Sequence, residues 1–186
     1  MDKGSSFFDS KFDLIFSIGS TCAAAMHLDK LRLRMCALPF DWTGLASFDQ
    51  RFDSLVTRFA GFLKKENLDF VGGKFGDVKC DGYVDRVQGY CFAHDFPLHG
   101  NLDEDHPAVK EKYDRRCSRL LKLLDDGVDA CMVWWSKDVV VSDEDCIRGL
   151  EKIRSAFPRS KVKLLVMEND VNGVWGSKGL WTETQV

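Results

Sequence analysis

The chain has 186 residues, of which 45% are hydrophobic and 30% charged, and its formal net charge is −3 at pH 7. This length predicts a single domain over residues 1–186, large enough for a full hydrophobic core, with a flexible stretch at residues 1–10. Basic and acidic side chains are mixed along the chain, which argues against nucleic acid and anionic membranes as partners. We therefore expect a small molecule or a peptide as the partner and leave the oligomeric state open.

Cysteine usage predicts a reducing, cytoplasmic environment. The seven cysteines are odd in number and scattered among apolar neighbours, and they contain no Cys-x-x-Cys pair, so they do not form the pattern of a disulfide framework. No histidine lies at a zinc-ligand spacing from a cysteine, and we predict neither a metal nor another cofactor. Residues 1–10 have no apolar segment typical of a signal peptide, and no apolar run is long enough for a membrane span.

The first predicted unit is a strand, a tight turn and a helix. Apolar residues dominate from Phe12 to Ile18, and the run ends in Gly19-Ser20-Thr21-Cys22. Apolar positions at spacings of three then predict an amphipathic helix from Cys22 to Arg34, which ends before Pro39. This unit places the Cys22 sulfur in the first turn of a helix, where free N–H groups and the helix dipole favour a thiolate.

Helices and strands alternate in the remainder of the chain. Glycines and short alternating runs from Leu68 to Phe96 predict loops and brief strands, one of them Gly89 to His94. Leu98 to His106 is polar and is predicted to be a surface loop. Apolar periodicity, together with helix start and stop signals, predicts three further helices, Phe48 to Lys65, Pro107 to Asp125 and Ser142 to Phe157. Apolar runs predict two buried strands, Val128 to Trp135 and Val162 to Met167. Such alternation is typical of an α/β fold, and we predict a three-layer αβα domain with a mainly parallel central sheet.

Polar residues follow three of the predicted parallel strands. They are Gly19 to Cys22, Ser136-Lys137-Asp138 and Glu168-Asn169-Asp170. The carboxyl ends of parallel strands share one edge of a sheet, so these loops should lie together there. A cysteine nucleophile also needs a base and a group that orients the base. His94 is the best candidate for the base, and Asp95, Asn169 or Asp170 could orient it. Backbone N–H groups near Ser20 to Cys22 could stabilise an oxyanion.

Other interpretations of the same residues stay open. Cys22 could be an ordinary buried cysteine. Pro39-Phe40-Asp41-Trp42 could be only a rigid turn with a packed aromatic side chain, in which Asp41 caps a loop. Arg115 and Arg119, one helical turn apart, could form a solvated face or hold a carboxylate or phosphate. The latter would make the protein a non-catalytic module for an anionic ligand such as a sugar phosphate. The residues predicted to contact a ligand or substrate are Gly19, Ser20, Asp41, Trp42, Arg115 and Arg119.

Several segments resemble a domain-of-unknown-function family described as putative papain-like cysteine peptidases. The likeness lies in Phe16 to Cys22, in Pro39-Phe40-Asp41-Trp42, in His94-Asp95-Phe96 and in Tyr113 to Arg116. The resemblance implies a cysteine-dependent hydrolase, peptidase-like or acyl-transferring, with Cys22 as nucleophile and His94 as base. It also implies a papain-like α+β fold as the alternative architecture and extends the expected substrates to glycan-linked ones.

The segment around Gly19-Ser20 favours a hydrolase class other than the papain-like one. Papain-like enzymes have a glutamine near the cysteine for the oxyanion hole, and none is obvious here. The strand before Gly19-Ser20 looks more like the first strand-helix unit of an SGNH-type hydrolase, in which the nucleophile is a serine. An SGNH-like esterase with Ser20 as nucleophile is therefore a further alternative.

Overall fold

The computed structural model describes residues 10–72, 79–136, 139–169 and 175–180. These residues form eight strands and four α-helices, together with a short 3₁₀-helix at Lys65–Asn67. In chain order they are β1 Leu14–Ser17, α1 Ala23–Lys30, β2 Thr43–Gly44, α2 Phe48–Val56, β3 Leu68–Gly72, β4 Cys80–Asp85, β5 Cys91–Pro97, α3 Leu102–Asp126, β6 Asp129–Ser136, α4 Asp143–Ala156, β7 Lys161–Asn169 and β8 Trp175–Leu180.

The first sheet contains the predicted parallel strands. Its order is β1-β6-β7-β8, with β1, β6 and β7 mutually parallel and β8 antiparallel at the edge. β6 lies between β1 and β7 and is buried along most of its length, which explains its nearly continuous apolar sequence. The parallel arrangement brings the carboxyl ends of β1, β6 and β7 to one edge, as the sequence predicted.

The middle of the chain forms a second, antiparallel sheet with the strand order β2-β5-β4-β3. α3 packs against β5. The centroid of the Tyr113 ring lies 5.3 Å from the ring centroid of Phe92 and 5.8 Å from that of Phe62. The structure is therefore not clearly the predicted three-layer αβα arrangement. The fold is mixed α/β, with three parallel strands beside an antiparallel sheet, and an α+β description is also compatible with it.

Two apolar clusters lie on opposite faces of the first sheet. The larger one contains alternate residues of that sheet, including Phe16, Met132 and Leu164, together with the aromatic residues of α2, α3 and the second sheet. The smaller cluster lies under α1 and centres on Ala24, Leu28, Cys131 and Val133. Because successive strand residues point to opposite faces, a continuously apolar β6 serves both clusters.

The end of α2 and the start of α3 differ most from the predicted boundaries. α2 stops at Val56 because Arg58 and Phe59 adopt positive φ angles, which no helix tolerates. α3 begins at Leu102, so the polar segment Leu98 to His106 is not wholly a loop. The Asn101 side chain accepts a hydrogen bond from the Asp103 N–H, and acidic residues fill the first turn. Pro107 consequently lies inside the helix, where it has no N–H to donate to the carbonyl of Asp103 four residues earlier.

The prediction of one domain over residues 1–186 stays a prediction. Of the stretch 1–10 that was predicted to be flexible, all residues but Ser10 lie outside the described part of the chain. All seven cysteines are free thiols. In the part of the chain that the structure describes, no helix is long and apolar enough to cross a membrane.

Candidate functional site

The turn after β1 is fixed against the end of β6. The N–H of Ser20 donates to the carbonyl oxygen of Trp135 at 3.0 Å, and the Ser20 hydroxyl donates to the same oxygen at 3.1 Å. Gly19 approaches so closely that a Cβ there would lie 3.0 Å from the Trp135 nitrogen. A side chain at position 19 would therefore be crowded by the Trp135 backbone. The Ser20 hydroxyl is held by the backbone rather than by a base.

Cys22 lies at the start of α1, and its thiol does not cap the helix. It is the N-cap residue and its side chain makes no capping hydrogen bond, while its carbonyl accepts from the N–H of Met26. The capping oxygen comes instead from Thr21, whose hydroxyl accepts from the N–H of Ala23 at 3.3 Å. Among the described residues, the N–H of Cys22 itself has no hydrogen-bond acceptor, so this donor is available to a ligand.

Burial separates Cys22 from most of the other cysteines. Cys91, Cys117, Cys131 and Cys146 are buried, whereas Cys22 is only partly buried. Burial raises the pKa of the Cys91 thiol, and it raises the pKa values of Cys117 and Cys131 to about 12. The thiolate is the nucleophilic form, so these buried cysteines are poor nucleophiles at neutral pH.

The second sheet contains the strand that carries His94, and its edge strand β2 contacts the turn before Cys22. β2 runs beside the turn that precedes Cys22, and a Cβ at Gly44 would lie 3.8 Å from the Ser20 carbonyl oxygen. β2 pairs with β5, the strand that carries His94. The Trp42 ring, just before β2, meets the His94 imidazole edge-on with 5.7 Å between ring centroids. β2 thus contacts both the turn before Cys22 and β5, the strand that carries His94.

Asp41 is a structural group beneath Trp42. Its buried carboxylate accepts hydrogen bonds from the Leu38 N–H at 2.9 Å and from the Arg34 guanidinium at 3.0 Å. Burial raises the pKa of Asp41 above its ordinary value, although both hydrogen bonds and the Arg34 charge act in the opposite direction. The Arg34 guanidinium carbon also lies 5.9 Å from the centre of the Trp42 ring. This arrangement fixes the tryptophan that contacts His94.

Asp95, next to His94 in sequence, faces a different part of the molecule. Its carboxylate accepts hydrogen bonds from the Lys112 ammonium at 2.6 Å and from the Tyr113 hydroxyl at 2.7 Å, both on α3. A register irregularity in the pairing of β4 with β5 lies at this point and turns neighbouring side chains to different partners. The structure therefore gives Asp95 a role in joining β5 to α3.

The two arginines predicted to bind an anion are engaged separately. Arg115 forms an exposed ion pair with Glu111 one turn earlier in α3. Arg119 donates to the carbonyl oxygen of Ala37 at 2.9 Å and so attaches α3 to the segment before Trp42. Arg115 and Arg119 share no partner among the described residues, and neither hydrogen bond involves the turn at Cys22.

Some predicted site residues cannot be placed. The backbone of Asn169 ends β7, but its side chain lies outside the described part of the structure, as do residues 137, 138 and 170. Cys22 and His94 form no hydrogen bond with each other among the described contacts. Groups of three or more His, Cys, Asp or Glu side chains suited to a metal ion are absent from the described residues.

Sequence reasoning missed Arg51, which shapes the loop around β2. Its fully buried guanidinium donates to the carbonyl oxygens of Ala46 and Thr43 and lies between the Phe40 and Tyr90 rings. Burial lowers the pKa of Arg51 to about 10. One sequence signal of this buried arginine was available, namely that a basic residue stands next to Phe52 in the apolar stripe of a helix.

Comparison with known proteins gives one curated relative and one family. "Uncharacterized protein R408" of Acanthamoeba polyphaga mimivirus is 28% identical over 130 residues. That match covers 61% of this chain and 57% of the relative, so the chain spans little more than half of the relative's length. No solved structure matches. The family model described as "Putative papain-like cysteine peptidase" matches residues 13–134, which include both Cys22 and His94. The chain therefore belongs to this family, whose description is, at a coarse level, that of a peptidase-like hydrolase.

Proposed function

We propose that the protein is a cysteine-dependent hydrolase with Cys22 as nucleophile and His94 as general base. The observation that carries the proposal is the position of Cys22 at the start of α1, partly exposed, with its side chain free of capping and its N–H without a described acceptor. A helix start stabilises a thiolate. The family description of a cysteine peptidase supports the same choice.

In the proposed reaction, the Cys22 thiol gives its proton to the His94 imidazole and its sulfur attacks the carbonyl carbon of an ester, thioester or amide. The Cys22 N–H donates to the oxyanion of the tetrahedral intermediate. The leaving group departs with the proton from His94, and an acyl-enzyme forms on the sulfur. Water then attacks this thioester, gives a proton to His94 and releases the acid, while the proton returns to the sulfur.

Trp42 and Asp41 act through position in this proposal. The Trp42 ring limits the motion of the His94 imidazole, and Asp41 with Arg34 holds the segment that carries Trp42. Asn169 remains the proposed orienting group for His94, because the Asp95 carboxylate is bound to α3. The substrate is proposed to be a small-molecule, peptide or glycan-linked acyl compound.

Two observations favour the cysteine over the alternatives. The SGNH-like alternative needs a Ser20 hydroxyl activated by a base, but this hydroxyl donates to the Trp135 carbonyl. The anion-binding alternative needs Arg115 and Arg119 to act together, but they bind Glu111 and Ala37 respectively. We therefore propose neither.

The test is the alkylation rate of each cysteine by iodoacetamide as a function of pH, read by peptide mass spectrometry, together with turnover of p-nitrophenyl acetate. Cys36 provides the matched control, since it is also partly buried and free. We expect Cys22 to react first, Cys22→Ser to abolish turnover and Cys36→Ser to leave it unchanged. His94→Ala should raise the pH midpoint of Cys22 alkylation. A Cys22 that reacts no faster than Cys36 in the folded protein would overturn the assignment.

A further inference from the structure

The loop after β2 contains a strained leucine beside the turn that leads to Cys22. Leu45 follows Gly44, and a Cβ at Gly44 would lie 3.8 Å from the Ser20 carbonyl oxygen. The φ angle of Leu45 is 64°, in the left-handed region that residues other than glycine seldom adopt. The N–H of Ala46 donates to the carbonyl oxygen of Gly44 at 2.8 Å. The backbone therefore makes a γ-turn with Leu45 at its centre, and γ-turns with a positive φ are rare and strained.

The fully buried Arg51 guanidinium holds this γ-turn from the protein interior. It donates to the carbonyl oxygen of Thr43 at 3.3 Å and to that of Ala46 at 3.2 Å, one on each side of Leu45. A third hydrogen bond goes to the Thr43 hydroxyl at 3.4 Å. Strained backbone persists only where its surroundings hold it, and it is concentrated at functional sites. A buried cation thus keeps one strained residue in place.

Packing in the core does not explain this strain. The Leu45 residue is 70% exposed, although its neighbour Ala46 is completely buried. A single exposed leucine is ordinary where the backbone is relaxed, and asparagine or glycine would relieve the strain here without changing the core. The combination of strain with exposure indicates that the Leu45 side chain contacts a ligand.

A second pair of exposed apolar side chains lies at the end of β6. Val139 and Val140 are both exposed, and the Val139 N–H donates at 2.9 Å to the hydroxyl oxygen of Ser136, the last residue of β6. The carbonyl oxygen of Trp135, one residue earlier, accepts the two hydrogen bonds that hold the Ser20 turn. Exposed apolar side chains therefore follow β2 and β6, and both of these strands contact the Ser20 turn.

We propose that Leu45 determines which acyl group the Cys22 site accepts, and that the substrates carry an aliphatic acyl group longer than acetyl. The inference rests on the proposed function, because it concerns the acyl group whose carbonyl carbon the Cys22 sulfur attacks. Leu45, together with Val139 and Val140, removes part of the acyl chain from water. The γ-turn fixes the leucine before the substrate arrives, so little ordering remains to be done on binding.

Hydrolysis of p-nitrophenyl acetate, butyrate and hexanoate by the full chain tests the proposal. We expect kcat/KM of the wild-type protein to be about ten-fold higher for the hexanoate than for the acetate, since each methylene fully removed from water favours binding by a factor of about four and this exposed site buries the chain in part. Leu45→Asn removes the apolar contact but keeps a residue that tolerates a positive φ. It should lower kcat/KM for the hexanoate about ten-fold and that for the acetate less than about two-fold.

Two control variants accompany this test. Leu45→Met retains an apolar side chain of similar volume and should retain the preference for the hexanoate. Leu31→Asn makes the same substitution as Leu45→Asn at another leucine, which lies at the end of α1 and is 67% exposed. It should also retain the preference.

Thermal unfolding separates this role from a structural one. Asparagine adopts a positive φ more readily than leucine does, so Leu45→Asn should have a Tm equal to or above that of the wild-type protein. A lost preference for the hexanoate without a lowered Tm supports the proposal. Leu45→Gly, which also accepts a positive φ, provides the same comparison if Leu45→Asn does not fold.

Two results would overturn this inference while Cys22 stays the nucleophile, because Cys22→Ser would still abolish turnover. One is a folded Leu45→Asn variant that keeps the wild-type ratio of hexanoate to acetate hydrolysis. The other is an equal loss of kcat/KM for all three esters, which would make Leu45 a structural residue. Turnover that persists in Cys22→Ser would instead overturn the proposed function, and this inference with it.

Discussion

The contact between Asp95 and α3 gives the sharpest test of how the structure assigns roles around His94. The Asp95 side chain is 3% exposed and accepts hydrogen bonds from Lys112 and from Tyr113. Asp95→Ala would leave the buried Tyr113 hydroxyl without this acceptor, and Tyr113→Phe would remove one donor from the carboxylate. Each change perturbs the junction of β5 with α3 from one side.

The magnitudes follow from burial and charge. A hydrogen bond to a buried charged group contributes about 1.5–3 kcal/mol, so we expect Tyr113→Phe to lower the free energy of unfolding by that amount. Asp95→Ala should cost about 2–4 kcal/mol, because it leaves the hydroxyl unpaired and also removes the ion pair with Lys112. The double variant should cost less than the sum of the two by about 1.5–3 kcal/mol, which is the coupling energy.

Urea unfolding at pH 7, followed by tryptophan fluorescence, measures all four proteins of this cycle. The matched control is the exposed pair Lys122 and Asp126, also on α3, whose side chains are 75% and 55% exposed. That pair should give a coupling energy of about 0–0.5 kcal/mol, since solvent screens exposed ion pairs. The contrast between the two cycles isolates the effect of burial.

The same variants decide whether Asp95 orients His94. If it joins β5 to α3, Asp95→Ala should leave the pH midpoint of Cys22 alkylation close to that of the wild-type protein. A coupling energy between Asp95 and Tyr113 below about 0.5 kcal/mol would refute the reasoning. A shift in the Cys22 midpoint as large as that caused by His94→Ala would also refute it, and would return Asp95 to the orienting role considered from the sequence.

Three further predictions concern stability. Burial raises the pKa values of Cys117 and Cys131 to about 12, so the unfolded state loses these thiol protons at a lower pH than the folded state does. The free energy of unfolding should keep its full value below about pH 9 and fall by about 1 kcal/mol per thiol between about pH 9 and 10. Urea unfolding midpoints measured across this pH range should show a smaller fall for Cys131→Ala than for the wild-type protein. Gly19→Ala should cost about 1–3 kcal/mol, seen as a lower Tm, because the new Cβ meets the Trp135 backbone; an unchanged Tm would contradict that contact. Ser47→Ala removes the capping box of α2 and should cost about 1 kcal/mol in urea unfolding, whereas Ser47→Asp should retain most of the stability.

Local sequence signals predicted the parts of the fold that depend on neighbours along the chain. The alternation of strands and helices around Phe12 to Arg34 and from Val128 to Met167 predicted β1, α1, β6, α4 and β7, because periodicity and capping are local properties. The turn at Gly19 to Cys22 was correctly placed between β1 and α1 for the same reason. The middle of the chain has short strands and many glycines, so pairing between distant segments decided its antiparallel sheet.

The candidate site shows the same division. The sequence by itself identified Cys22 as a cysteine at a helix start, since a strand, a Gly-Ser turn and an amphipathic helix are all encoded within a few residues. Only the tertiary structure decided that Asp95 binds α3 while Trp42 contacts His94, and that Ser20 is held by Trp135. These partners are separated along the chain by 18, 52 and 115 residues, respectively. Side-chain direction there depends on strand register and on packing between sheets, and neither is a property of the local sequence.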